Sequence, residues 1–236
     1  MNILMEQSPY PSGTVRNLLK TQQVTLKTKK VLQQRLEVID PFLKPSFFDK
    51  ASFAILQAAA TRLIPQAEVK AIALALALDE RLAKGTGDGW RYNTMPPDSK
   101  AHQLGLQGLE ESARSRFSKG FVFLNEAEQD AVLQAVQQGK APGTTWETLP
   151  SERYFEELLV ELTEAYYSHP LAQETIGYVG MADAQGWQAI GLNQLEPWEP
   201  QTFTDDVDID AKIKQIPSIS NAAQKQAISP PLVTSS

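Results

Sequence analysis

The sequence contains two histidines, His102 and His169, and each is a candidate for acid–base chemistry because imidazole titrates near neutral pH. His102 lies on an apolar stripe, and no carboxylate stands three or four residues away to orient its ring. His169 precedes Pro170, which is typical of a residue that ends a helix. A stand-alone helical enzyme that uses His102 or His169 stays open as an alternative, but the spacing favours a hydrogen-bonded structural role for His102.

Two other patterns could serve chemistry. Glu157 and Glu161 are spaced to share one helix face, which would suit acid–base work or metal binding. Neither has a histidine at ligand spacing, so we expect a solvated acidic face. The glycine-rich run at 85–89 lacks the Lys-Ser/Thr pair of a phosphate loop and follows a helix, which predicts a C-cap and a turn.

Several functional classes lack their sequence motif. There is no cysteine, which excludes a disulfide, a thiolate zinc site, a Cys-ligated cluster and a Cys nucleophile within this sequence. Neither G-x-S-x-G nor G-x-G-x-x-G occurs. The net charge of -6 argues against a nucleic-acid partner. We therefore expect no catalytic, cofactor-binding or metal-binding residues in this chain.

Helical spacing of apolar residues dominates the sequence and predicts a mostly α fold. The predicted helices fall within 14–39, 46–65, 68–84, 98–117, 125–138 and 150–169. In the third of these segments, apolar residues surround most of the helix, so we expect that helix to be central and largely buried. Ser46 is the predicted N-cap of the second segment, and Asn125 with Glu128 predicts a capped start to the fifth.

The chain divides by composition into three parts. Residues 1–44 form a basic helical extension, residues 45–195 an irregular helical domain, and residues 196–236 a Pro-rich, acidic, extended or disordered tail that could wrap a partner. The basic extension is either a solvated helix face, which we favour, or a docking surface for an acidic partner or an anionic lipid face. No apolar run is long enough to cross a membrane.

The most distinctive stretch runs from 154 to 193 and joins an amphipathic helix to a segment rich in glycine and aromatic residues. Tyrosine, tryptophan and methionine are enriched at the centres of protein interfaces, and glycine permits close backbone approach. A loop folded back on the chain's own core is the alternative for Trp187. The predicted partner interface comprises Trp90, Tyr92, Tyr166, Gly177, Tyr178, Gly180, Met181, Trp187 and Gly191.

A series of short motifs recurs in a recognisable order. They are RLIP at 62–65, LQGLEESARSRF at 106–117, FVFL at 121–124, YFEELL at 154–159, YYSHP at 166–170, GYVG at 177–180 and GWQAIG at 186–191. Their order resembles that of the gluconate 2-dehydrogenase subunit 3 family, the small gamma subunit of FAD-dependent gluconate and sugar dehydrogenases.

The resemblance implies a helical accessory subunit without a cofactor of its own. Its partner would be a large FAD-containing catalytic subunit of the glucose–methanol–choline (GMC) type, which it stabilises or matures, and a cytochrome c subunit could complete the assembly. A dedicated folding or export chaperone that leaves the mature enzyme is the alternative. Many such subunits carry a twin-arginine signal, whereas this sequence starts without one. We therefore expect a cytoplasmic protein, or a periplasmic one if a signal-bearing partner exports it.

Overall fold

The computed structural model of the chain describes residues 13–36, 45–66, 72–87, 92–181, 191–192 and 194. Within these ranges the backbone forms eight α-helices and no β-strand, which confirms the predicted mostly helical fold. The chain divides into two units, residues 1–187 and 188–236. In the second unit only Gly191, Leu192 and Gln194 are described, so the predicted tail at 196–236 lies outside the described residues.

The helices are α1 (Thr14–Leu18), α2 (Leu26–Leu36), α3 (Lys50–Leu63), α4 (Leu74–Lys84), α5 (Asp98–Phe117), α6 (Glu126–Gln137), α7 (Ser151–Tyr167) and α8 (Pro170–Thr175). Two short 3₁₀ turns, Phe121–Phe123 and Thr144–Glu147, lie on either side of α6. None of the helices in the described ranges has the length and apolar character needed to span a bilayer.

The start of α3 differs from the prediction of Ser46 as N-cap. Asp49 caps the helix instead, because its carboxylate accepts a hydrogen bond from the Ser52 backbone N–H at 2.7 Å. The backbone N–H groups of Ser46, Phe47 and Phe48 all donate to the carboxylate of Asp79 on α4. Asp79 is fully buried, so the entry to α3 is fixed by a contact from a distant residue.

Helix α4 begins later than predicted. The sequence places its start at residue 68, whereas the structure starts it at Leu74, and residues 67–71 lie outside the described ranges. The side-chain amide of Gln66 accepts from the N–H of Ile72 at 2.6 Å and donates to its C=O at 3.0 Å, which satisfies that backbone without a helix. The predicted turn after α4 is confirmed, since Gly85 has a φ of 63° at the C-cap.

The boundaries of α5, α6 and α7 agree with the sequence. Helix α5 spans 98–117, and Asn125 and Glu128 form a reciprocal capping box at the start of α6. These boundaries depend on residues a few positions apart, which local patterns describe well.

The main core lies among α3, α4, α5, α6 and α7. Its fully buried aliphatic residues include Leu56, Leu106, Leu109, Val132 and Leu162. Helices α1 and α2 pack against α8 instead, and bury Val15, Leu18, Leu19 and Leu32. The N-terminal helices are therefore attached to the C-terminal end of the helical unit.

Candidate functional site

A cluster of charged side chains lies inside the helical unit where α4, α5 and α7 meet. Arg81 on α4 contacts Glu161 on α7 through Nη2 and Oε1, and also lies 3.2 Å from the Asp98 carboxylate. Nε2 of His102 on α5 lies 3.1 Å from Oε2 of Glu161. One carboxylate is thus held between a guanidinium and an imidazole from two other helices.

The expectation of a solvated acidic face is wrong for Glu161. Its side chain is only 14% exposed, because Arg81, 80 residues away in the sequence, and His102 enclose it. Helical spacing on one segment could not reveal these partners. A signal was nevertheless available: Glu161 follows the buried Tyr154 and Leu158 at i+7 and i+3, which places it on the same inward stripe.

The electrostatics of the cluster keep the carboxylate ionised. Burial acts to raise the pKa of Glu161, but the hydrogen bonds and charges of His102 and Arg81 outweigh it, and the pKa lies below its ordinary value. An imidazole oriented by a carboxylate is also the arrangement of a general base. A general base must reach its substrate, however, and the His102 side chain is 1% exposed. The arrangement suits a tie between three helices.

Two glycines on α5 allow aromatic rings to pack directly against the helix backbone beside this cluster. A Cβ on Gly105 would lie 2.0 Å from Cζ of Tyr154, and a Cβ on Gly108 would lie 2.5 Å from the Trp146 ring. The Tyr154 ring lies edge-on to His102, with 5.8 Å between the ring centroids. Burial raises the pKa of Tyr154, and its hydroxyl has no hydrogen-bond partner among the described residues. The phenol therefore stays neutral and serves as packing.

His169 has a different structural role. Its Nδ1 accepts a hydrogen bond from the Leu171 backbone N–H at 3.2 Å and so caps α8. Its Nε2 lies 2.5 Å from the backbone oxygen of Arg35 on α2, so the proton of the neutral ring belongs on Nε2. Burial lowers the pKa of His169, although the Arg35 carbonyl opposes this effect. The imidazole joins α2 to α8 in its neutral form.

The residues predicted for the partner interface fall in several environments. Tyr92 and Tyr166 are partly buried against the core, and Met181 is buried. Gly177 has a φ of 67°, and Tyr178 is 43% exposed. Two further predicted residues, Gly180 and Gly191, are exposed, the latter in the second unit. Trp90 and Trp187 lie outside the described residues.

Three exposed apolar side chains flank α8, one before its start and two after its end, and the sequence did not predict two of them. Tyr167, Ile176 and Tyr178 are 47%, 50% and 43% exposed, and we name them the α8 patch. Gln173 joins the two ends of this group. Its side-chain amide donates to the backbone carbonyl of Tyr167, and its backbone carbonyl accepts from the Tyr178 N–H at 2.8 Å. The structure thus presents three large apolar side chains on one braced segment.

A shallow groove of about 340 Å³ lies elsewhere, between α3, α6 and the start of α7. Arg62 and Asp130, which line this groove, form a bidentate ion pair with both N–O distances at 2.8 Å. Leu133 and Phe155 line the groove, and both are already buried in the core. The groove therefore offers little apolar surface to a ligand.

The sequence model of the family described as Gluconate 2-dehydrogenase subunit 3 matches residues 50–192, more than half of the 236-residue chain. The chain belongs to the gluconate 2-dehydrogenase subunit 3 family. This confirms the resemblance inferred from the motifs. No curated protein and no solved structure matches the chain.

Membership of this family implies a partner in a dehydrogenase complex. The matched region of this subunit 3 family member contains the buried cluster, Gly105 and Gly108 with their aromatic neighbours, and the α8 patch. It begins at residue 50, so α1 and α2 lie outside it. The N-terminal helices thus lie outside the matched region and pack onto α8 within it.

Proposed function

We propose that the chain is a non-catalytic accessory subunit that binds the large FAD-containing, GMC-type subunit of a gluconate, sugar or alcohol dehydrogenase. In that complex it would stabilise or mature the catalytic subunit, which would carry the FAD and the redox step. The observation that carries the proposal is the α8 patch, an exposed apolar surface on a chain whose family belongs to a dehydrogenase complex. The seclusion of His102 supports the same conclusion, because substrate cannot reach it.

The α8 patch has the properties of an interface centre. Tyrosine is among the residues that contribute most to binding energy, and an exposed apolar group rimmed by polar residues marks many interaction sites. The bonds from Gln173 hold the backbone at Tyr167 and Tyr178, which lowers the entropy lost on binding. Exposed Gly180 lets a partner approach the backbone closely.

The test is co-expression of the chain with a large GMC-type flavoprotein subunit from the same genome, followed by purification of the complex. We expect a stoichiometric complex in which the flavin belongs to the large subunit, while the chain purified alone is colourless. Replacing Ile176 and Tyr178 together by Ser should weaken binding by tenfold or more, because side chains at interface centres contribute about 1–2 kcal/mol each. Phe123→Ser is the matched control, since Phe123 is 79% exposed and lies outside the patch.

Two outcomes would contradict the proposal. Failure of the wild-type chain to co-purify with the flavoprotein would refute the proposed partner. An equal loss of binding in Phe123→Ser would refute the α8 patch as the interface. Native mass analysis of the active enzyme then separates a retained subunit from a chaperone. A chaperone would leave the active enzyme without this chain.

A further inference from the structure

The N-terminal helices carry a charge opposite to that of the rest of the chain. Residues 13–36 contain six basic residues and no acidic residue, although the whole chain has a net charge of -6. We propose that this segment, the basic helix pair, is a second docking surface that receives an acidic surface of the partner dehydrogenase subunit. This inference rests on the proposed function and adds the location and chemistry of a second contact.

The two arginines of the basic helix pair hold it on the domain. Nε of Arg16 lies 2.8 Å from Oε2 of Glu174 on α8, and that carboxylate side chain is 9% exposed. Arg35 donates to the backbone oxygen of Ser168 at 2.5 Å. Together with the buried apolar residues of α1 and α2, these contacts give the pair a fixed place beside α8.

Two lysines of the pair remain available on its surface. Lys27 and Lys30 are exposed on α2, and no salt bridge joins either of them to a carboxylate within the part of the chain that the structure describes. Leu26 and Val31 lie beside them and are 82% and 42% exposed. On a helical projection these four residues share the outward face, opposite the buried Leu32. The outward face therefore combines aliphatic side chains with flanking positive charges.

This composition favours a protein surface over a lipid surface. Helices that lie in a membrane interface have a wide apolar face with Trp, Phe or several Leu. The outward face of α2 has only Leu26 and Val31 as large apolar residues, and no aromatic residue. A small apolar centre with charged residues around it is instead common in protein interfaces, where the charges steer association and select the partner.

The position of the pair identifies which subunit it would meet. Helix α2 packs on α8, and α8 carries Ile176 of the α8 patch at its C-terminal end. A large subunit bound at the patch would therefore lie near the basic helix pair. Since the pair lies outside the region shared with the family, it would adapt this chain to its own partner.

The experiment compares charge reversal at two places in the full-length chain. Lys27→Glu with Lys30→Glu changes the proposed surface, and Lys119→Glu with Lys140→Glu makes the same change in net charge at exposed sites elsewhere. Affinity for the purified flavoprotein subunit is measured at low and high salt. We expect the first double variant to bind about tenfold more weakly at low salt and to lose most of the salt dependence. The control pair should stay within about twofold of wild type.

Each other outcome has a definite meaning. Equal effects of the two double variants, or no effect of the first, would overturn the second docking surface while leaving the proposed function intact. A lipid-binding role would also overturn it. In that case the wild-type chain would float with phosphatidylglycerol vesicles, and Lys27→Glu with Lys30→Glu would abolish flotation without changing the affinity for the flavoprotein. No binding of wild-type chain to the flavoprotein would overturn both proposals. Thermal unfolding of both variants confirms that the fold is retained.

Discussion

Replacement of Glu161 by Gln is the most direct test of the buried cluster. The amide keeps the size of the side chain and one acceptor oxygen for Arg81. It removes the negative charge and turns an NH₂ group or a neutral oxygen toward His102. The change therefore isolates the charge of the carboxylate from its volume.

The expected magnitude follows from the two contacts that Glu161 makes. The contact with Arg81 is a charge-assisted hydrogen bond, and such bonds are worth about 1.5–3 kcal/mol, against about 1 kcal/mol for neutral ones. The contact with His102 is a close approach of 3.1 Å that adds an electrostatic interaction. Since the glutamate side chain is only 14% exposed, solvent screens these contacts weakly. We expect Glu161→Gln to lower the free energy of unfolding by about 2–3 kcal/mol at pH 7.

The pH dependence provides a second readout of the same substitution. The pKa of Glu161 lies below its ordinary value of 4.5, so its contribution is full above that value and is lost as the pH falls below it. The difference between wild type and Glu161→Gln, measured by urea unfolding, should therefore narrow on acidification from pH 7 to about pH 3.5. Glu164→Gln, at an exposed position on the same helix, is the control. A loss below about 0.5 kcal/mol at pH 7, or a difference that stays constant with pH, would refute this account of the cluster.

Three further substitutions test other contacts. Gly105→Ala should lower the free energy of unfolding, measured in urea, by about 2 kcal/mol, because the new Cβ would lie 2.0 Å from the Tyr154 ring. The loss is expected despite a gain in helix propensity of about 1 kcal/mol. Unchanged stability would contradict the close packing of Tyr154 on Gly105. The pKa of His169 lies below 6.5, so the stability of the wild-type protein should fall as the pH drops through and below that value. Thermal melts of His169→Gln should show a flatter dependence of stability on pH. The same pH dependence in both proteins would exclude the imidazole as the cause. Asp79→Asn should cost about 1–3 kcal/mol in urea, because its NH₂ group would face backbone N–H donors; a stability equal to that of wild type would show that the carboxylate is dispensable.

The elements that the sequence predicts well are those fixed by neighbouring residues. The range of α5 follows from its apolar spacing, and the start of α6 follows from the Asn125–Glu128 capping box. The prediction of a structural His102 also agrees with its burial. In these cases the residues that determine the structure lie within a few positions of each other.

The errors arise where one distant side chain determines the local structure. Three consecutive backbone N–H groups, beginning with that of Ser46, donate to Asp79 on α4, and the N-cap lies at Asp49 instead. Glu161 is buried because packing of the helices brings Arg81 and His102 to it. A helical pattern shows which face of a segment is apolar, but it does not show which charged residues from other segments meet on that face.

The packing of α1 on α8 has a consequence for the order of events during synthesis. Helix α1 leaves the ribosome well before α8, since their paired residues Arg16 and Glu174 are 158 positions apart. At ordinary elongation rates of roughly 5–20 residues per second, this separation corresponds to about 8–30 s. During that interval Val15, Leu18 and Leu19 have no α8 to cover them. The first helix of the described chain is therefore among the last to reach its native contacts, and its apolar residues are open to chaperones throughout translation of the domain.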